Sequence, residues 1–258
     1  MPLTPPAWTI AFLLPLVLVF SAMASIGWHH WSGVLGLSRA LTDKASFLVV
    51  ELLGILLPAL GLAQLLKVDA EATFPLKRVS AGAVLAVFTG TLGLSTVLTY
   101  LQDLYQDAFN LPYPEALLEV LTIHTPLEGL LLASGVVLAA AICEEALFRG
   151  YVQSALQDSL KPWATILVTA ALFAAFHLEP AGLPTYLLLG AWLSWLRFAS
   201  ASLWLPIVAH GTNNLLALIQ ANVLGEAFWR EHTLTFLPLG LVMAFVGAFA
   251  SWRLLARD

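Results

Sequence analysis

Charge is what this sequence has least of. Of 258 residues, 11 are Lys or Arg and 16 are Asp or Glu, so 10% of the chain is charged while 60% is hydrophobic. Soluble domains carry roughly a quarter charged residues, so an ordinary water-facing surface is excluded and the chain reads as a polytopic membrane protein. The formal net charge of −5 and the lack of any clustered basic face exclude nucleic acid as a partner. Cysteine is nearly absent. Cys143 alone rules out a disulfide framework or a thiolate metal cluster within one chain, and its expected role is that of a small buried hydrophobe. The first segment lacks the basic start of a signal peptide, which favours an uncleaved membrane helix. With no internal repeat, low-complexity linker or long polar stretch, residues 1–258 are expected to form one integral-membrane domain.

Apolar sequence is what the chain has in abundance. Windows of about 20 apolar residues, each long enough for the hydrocarbon core, fall near 8–28, 46–66, 81–101, 128–156, 163–178, 182–199, 201–222 and 233–254. They predict an all-α transmembrane bundle of about eight helices in a lipid bilayer. With a cytoplasmic N-terminus, Lys67, Lys77, Arg78, Arg149, Lys161, Arg197, Arg253 and Arg257 fall on the inner side. Arg39, Lys44 and Arg230 fall opposite. That bias predicts both termini in the cytoplasm of a cell membrane. Between the third and fourth windows, PYPEALLEVL predicts a short helix begun by Pro114, with Leu117, Leu118 and Leu121 on one side. In WHHW, His29 and His30 resemble paired metal ligands, yet neighbours on a helix point about 100° apart, so the flanking Trp28 and Trp31 read as an interfacial belt.

Against this background ICEEALFRG, Ile142 to Gly150, stands out. Glu145 and Arg149 are at i and i+4, where a carboxylate and a guanidinium meet on one helix face. Glu144 is turned about 100° away and is expected to be left unpaired. An ionised side chain at the bilayer centre costs about 2.5 to 3.5 kcal/mol even on insertion scales, so Glu144 is expected to face the bundle interior and to be functional. Two later helices offer partners: FAAFH, with Phe173 and His177 at i and i+4, and HGTNN, with His210 and Asn214 at the same spacing. Singly, an intramembrane His or Asn reads as glue between helices. Together, an unpaired Glu, two His and an Asn on the fourth, fifth and seventh helices form a set able to activate water and stabilise an oxyanion.

These blocks resemble, in order and without departure, the EExxxR, FxxxH and HxxxN motifs of the CAAX protease and bacteriocin-processing family of intramembrane endopeptidases. The motif-bearing core covers about 128–222. The resemblance implies peptide-bond hydrolysis, with Glu144 as general base working with His177 on a water and with His210 and Asn214 binding the developing oxyanion. Glu145 and Arg149 would hold the helix in register, with Phe173 supporting the site. A polar cavity open to water is expected beside Glu144.

The implied partner is a membrane-associated peptide or protein, prenylated or bacteriocin-like. Zinc held by Glu144, His177 and His210 is the alternative mechanism, but HExxH is absent and metal-independent catalysis is favoured. Neither the GxSG context of a rhomboid-like protease nor the YD and GxGD aspartates of a presenilin-like one occurs. A noncatalytic scaffold or immunity protein would leave Glu144 and both histidines without a reason for their cost, and a transporter would call for paired broken helices that the sequence lacks.

Overall fold

The computed structural model describes residues 4–112, 115–224 and 226–255. Among these residues all regular structure is helical, and there is no strand. Ten helices follow in order: α1 (Ala7–Val34) and α2 (Arg39–Leu65), the short α3 (Ala70–Thr73), α4 (Ala81–Phe109) and the short α5 (Glu115–Leu121). After them come α6 (Pro126–Gln157), α7 (Pro162–Phe176), α8 (Leu183–Ser200), α9 (Trp204–Ile219) and α10 (Glu226–Leu255). Helix α5 is the one expected in PYPEALLEVL; Pro114 itself lies outside the described residues, as do Arg257 and the side chain of Arg230.

Polar caps and prolines set the helix ends. Ser38, Ser80 and Thr125 each accept a hydrogen bond from the N–H three residues on, at 3.3, 3.2 and 3.3 Å, which starts α2, α4 and α6. Pro126, Pro162 and Pro184 occupy first-turn positions, where a missing N–H leaves nothing unsatisfied. Helices α4 and α8 stop at Asn110 and Ala201, both in the left-handed conformation.

Five helices are long and apolar enough to cross a membrane: α1, α2, α4, α6 and the Glu231–Leu255 portion of α10. Their flanks expose Phe12, Leu85 and Phe245, a lipid-facing pattern, and the protein is an integral membrane protein. The other three expected spans form α7, α8 and α9, with 15, 18 and 16 residues. At 1.5 Å per residue α7 and α9 reach only about 22 and 24 Å, less than the ~30 Å of hydrocarbon. Helix α6 is the opposite case, since its 32 residues extend about 48 Å.

Two apolar clusters hold the bundle. Side chains of α1, α2, α6 and α7 form one, around Leu13, Leu147, Phe148 and Tyr151. Residues of α4, α8 and α9 form the other, around Val87, Leu193, Leu196 and Leu205. At one end of the bundle Ser154 donates to Thr73 O (3.2 Å), Ser202 to Lys77 O (2.8 Å) and Thr4 to Asp158. Lys67, Lys77, Arg78 and Lys161 lie in the connections of that end, and Leu254 on the last described turns reaches Gly82 there. Lys44 and Arg149 drop out of the loop-charge count, because both are buried in ion pairs, with Glu128 at 3.3 Å and Glu145 at 2.9 Å.

Helix α10 packs along α4 with backbones in contact. A Cβ added at Gly93 would overlap the backbone of Gly240 and Ala244, whereas one at Gly61 on α2 would meet nothing within 4 Å. Gly93→Ala is therefore expected to destabilise the fold by about 1–3 kcal/mol, the scale of overpacking. Gly61→Ala is expected to stabilise it by up to about 1 kcal/mol through helix propensity. Unfolding of the two variants in one detergent reads the contrast, and a Gly93→Ala protein as stable as wild type would remove the close packing of α4 and α10.

Candidate active site

Helix α6 departs from regular winding on both sides of the two glutamates. Ala133–Ala139 and Ala146–Val152 adopt wide turns in which N–H groups reach five residues back, with an ordinary α segment, Ala140–Glu145, between them. Val50–Leu56 on α2, facing this segment, is wound the same way. Wide turns are rare and concentrate at functional sites, because they re-aim side chains and carbonyls that a regular helix would hold in register.

The expected ion pair is present. Arg149 Nη1 donates to Glu145 Oε1 at 2.9 Å, and both side chains are fully buried. The guanidinium does more than pair along its own helix: Nη2 donates to Gly190 O on α8 at 2.9 Å, and its carbon lies 4.4 Å from the centre of the Phe173 ring on α7. Glu145 Oε1 also lies 2.9 Å from His210 Nδ1 on α9. One buried carboxylate and one guanidinium thus connect α6, α7, α8 and α9. Phe173 fills the space between, its edge contacts reaching the rings of His177 (4.6 Å) and His210 (5.8 Å).

Glu144 points elsewhere, as the helical angle requires. Its Oε2 lies 3.9 Å from His177 Nε2, and the two side chains are 12% and 21% exposed, against 0% for Glu145 and Arg149. His177 closes α7; its Nδ1 is 2.7 Å from Phe173 O, and its ring stacks on Tyr186 at 3.9 Å between centres. These contacts fix the ring with Nε2 toward Glu144. Asn214 on α9 donates to Val136 O at 2.9 Å, a carbonyl within the first wide turn of α6, and accepts from Asn213 at 3.2 Å.

The site therefore divides the expected residues into two groups. Glu144 and His177 form one, partly open to the exterior. Glu145, Arg149 and His210 form the other, closed off. His210 meets Glu145 through Nδ1, and among the described residues no three His, Cys, Asp or Glu side chains are grouped to hold a metal ion. His29 is engaged with Asp43, at 3.1 Å. Cys143 is buried in the apolar cluster.

One acidic residue of the site escaped the sequence reading. Glu51, in the wide turn of α2, is 8% exposed, and its Oε2, like that of Glu144, is buried without a hydrogen-bond partner. It is the sole charged residue between Lys44 and Lys67, and the rule that singled out Glu144, an ionisable group in an apolar span, applies to it equally.

Residues 126–216 match the family described as Type II CAAX prenyl endopeptidase Rce1-like. The matched stretch runs from the start of α6 into α9 and includes Glu144, Glu145, Arg149, Phe173, His177, His210 and Asn214. Among curated proteins, the human G-protein coupled bile acid receptor 1 is 37% identical over 75 residues, covering 28% of this chain and 23% of the receptor. The rat receptor of the same name is 39% identical over 56 residues, covering 22% and 17%. The chain thus spans less than a quarter of the length of these relatives. No solved structure matches it. With its motifs in order on α6, α7 and α9, the stretch from Pro126 to Leu216 is similar to the Rce1-like type II CAAX prenyl endopeptidases.

Proposed function

We propose that the protein is an intramembrane endopeptidase in which Glu144 and His177 activate a water molecule. The observation that carries this reading is the unequal treatment of two adjacent glutamates. Glu145 is sealed in an ion pair, while Glu144 stays partly exposed and 3.9 Å from a histidine. That gap is too long for a direct hydrogen bond and suits two groups that bind the same water. In the reaction Glu144 takes one proton from water as the oxygen attacks the peptide carbonyl carbon. When the tetrahedral intermediate collapses, the C–N bond breaks and the same proton passes to the departing amine.

His210 and Asn214 would stabilise the oxyanion. Glu145, accepting at Nδ1 of His210, orients that ring and leaves Nε2 to meet the substrate oxygen. Asn214 has a second amide hydrogen beyond the one given to Val136 O. Glu145 and Arg149 are then positioning residues that act through His210. The mechanism proposed is metal-independent, and the substrate is a membrane-associated peptide, prenylated or bacteriocin-like.

Glu144 lies 13 residues from the basic end of α6, a depth of about 20 Å. By the loop-charge rule that end, with both termini, is cytoplasmic. Water would enter from that side. Cysteines introduced at exposed positions of the 67–80 and 158–161 connections are expected to react with impermeant reagents only in inside-out vesicles, and labelling in intact cells would reverse the orientation.

The first experiment is cleavage of a quenched peptide library in detergent by wild type, Glu144→Gln and Glu145→Gln, with and without a zinc chelator. Glu144→Gln is expected to keep the wild-type unfolding profile and lose about 10²–10⁴-fold in kcat, the range for removal of a general base. Glu145→Gln is expected to lower stability by about 3–5 kcal/mol, because it leaves Arg149 buried without its counter-ion. Loss of cleavage on chelation, restored by added zinc, would instead make the reaction zinc-dependent.

A further inference from the structure

We propose that Ser95 on α4 and Asn213 on α9 are positioning residues for Asn214: a line of three hydrogen bonds holds its carboxamide so that nitrogen, and not oxygen, is offered to the reacting carbonyl. The inference rests on the reading of Asn214 as an oxyanion donor and adds Ser95, a residue outside the matched segment 126–216.

The line begins at a backbone atom. In a regular helix Ala140 N–H would bond to Val136 O; in the wide turn of α6 it bonds instead to Gly135 O, five residues back. Asn214 Nδ2 donates to the passed-over Val136 carbonyl at 2.9 Å. Asn214 Oδ1 accepts from Asn213 Nδ2 at 3.2 Å, and Asn213 Oδ1 accepts from the Ser95 hydroxyl at 2.9 Å. A backbone carbonyl only accepts, so the Asn214 atom against Val136 O has to be the nitrogen. Each later partner follows in turn: Asn214 gives its oxygen to Asn213, and Asn213 gives its own to Ser95. One orientation of the two amides satisfies all three contacts.

That orientation decides what Asn214 can do. With one amide hydrogen on Val136 O, the second remains for a developing oxyanion. A half-turn of the carboxamide would set two carbonyl oxygens against each other at Val136 and present an oxygen where negative charge forms. The shape of the side chain does not resist the turn, since the two ends of an amide are nearly equal in size. Asn213 resists it, because its nitrogen would then face a nitrogen, and Ser95 keeps Asn213 from turning as well. Neither residue touches the reacting atoms; both act through Asn214.

Helix α4 is suited to carry this anchor. Thr91, Ser95 and Gln102 share one face of it, four and then seven residues apart. Thr91 Oγ1 accepts from Trp192 Nε1 at 3.0 Å, and Gln102 Oε1 accepts from Thr185 Oγ1 at 2.7 Å, both partners being on α8. These bonds fix α4 against α8 on either side of Ser95, which is buried and turns to α9. Hydrogen bonds between membrane helices commonly act as glue. The outer two suit that role, whereas the one from Ser95 ends on the neighbour of Asn214.

The test uses the full-length protein in detergent, carrying isotope-labelled asparagine. Its four asparagines, Asn110, Asn213, Asn214 and Asn222, each give one side-chain amide pair in the NMR spectrum, assigned by substitution. Ser95→Ala is expected to shift the pairs of Asn213 and Asn214 and to leave those of Asn110 and Asn222 in place. An Asn214 pair unmoved by Ser95→Ala would break the line. In peptide cleavage, Ser95→Ala and Asn213→Leu are each expected to lower kcat about 3- to 10-fold with KM unchanged, the scale of one hydrogen bond between neutral groups. In an Asn214→Ala protein, where no amide is left to orient, the same two changes are expected to cost nothing further. Equal losses on both backgrounds would make Ser95 and Asn213 helix glue and overturn the positioning role, as would a wild-type kcat for Ser95→Ala. A wild-type kcat for Asn214→Ala would remove the oxyanion donor and the positioning role together. A wild type that cleaves no peptide would count against the endopeptidase reading alone, while the amide shifts still decide whether Ser95 orients Asn214.

Discussion

The arrangement of the site depends on one buried ion pair. Arg149 and Glu145 are fully enclosed, a position in which neither charge is tolerable without the other, and where even a good pair gains little net stability over apolar side chains of the same size. What the pair contributes is geometry. Arg149 reaches Gly190 O on α8 and the face of Phe173 on α7, and Glu145 reaches His210 on α9. Those bonds cross the boundary between the two apolar clusters, one on α1, α2, α6 and α7 and the other on α4, α8 and α9. Apolar packing sets how close helices lie but is tolerant of rotation and sliding in lipid. Four short, directional contacts on two adjacent charges leave one register of α7, α8 and α9 against α6.

Much of this was legible in local spacing. The i,i+4 rule found Glu145 and Arg149, and the 100° turn per residue separated Glu144 from them, because both are properties of a single helix. The partner of His210 was not legible. It is 65 positions from Glu145, and nothing in HGTNN indicates which of two neighbouring carboxylates its ring will meet. The end of α7 was also hidden. The helix closes after Phe176, and the Glu179–Pro180–Ala181–Gly182 turn follows at once. That stop places His177 at the helix end.

Wide turns account for the rest of what sequence reading missed. No proline marks Val50–Leu56, Ala133–Ala139 or Ala146–Val152, so a regular period is the natural expectation for all three. Yet the first carries the buried Glu51, and the second includes the carbonyl that Asn214 binds. Glu51 itself was visible as a lone charge in an apolar span. An intramembrane charge identifies a functional helix more reliably than it identifies its partner.

The same physics explains why two glutamates stand side by side. A single buried carboxylate cannot both lock the helices and act on water, since the lock requires a permanent counter-ion and full enclosure, whereas a base requires access and a free lone pair. Consecutive residues on a helix point about 100° apart, which is enough to put one carboxylate between Arg149 and His210 and the other beside His177. The lock then restrains the backbone that carries the base. Movement of Glu144 relative to His177 would have to break contacts to three other helices, so the buried pair can hold the separation of 3.9 Å without either of its charges touching the reacting atoms.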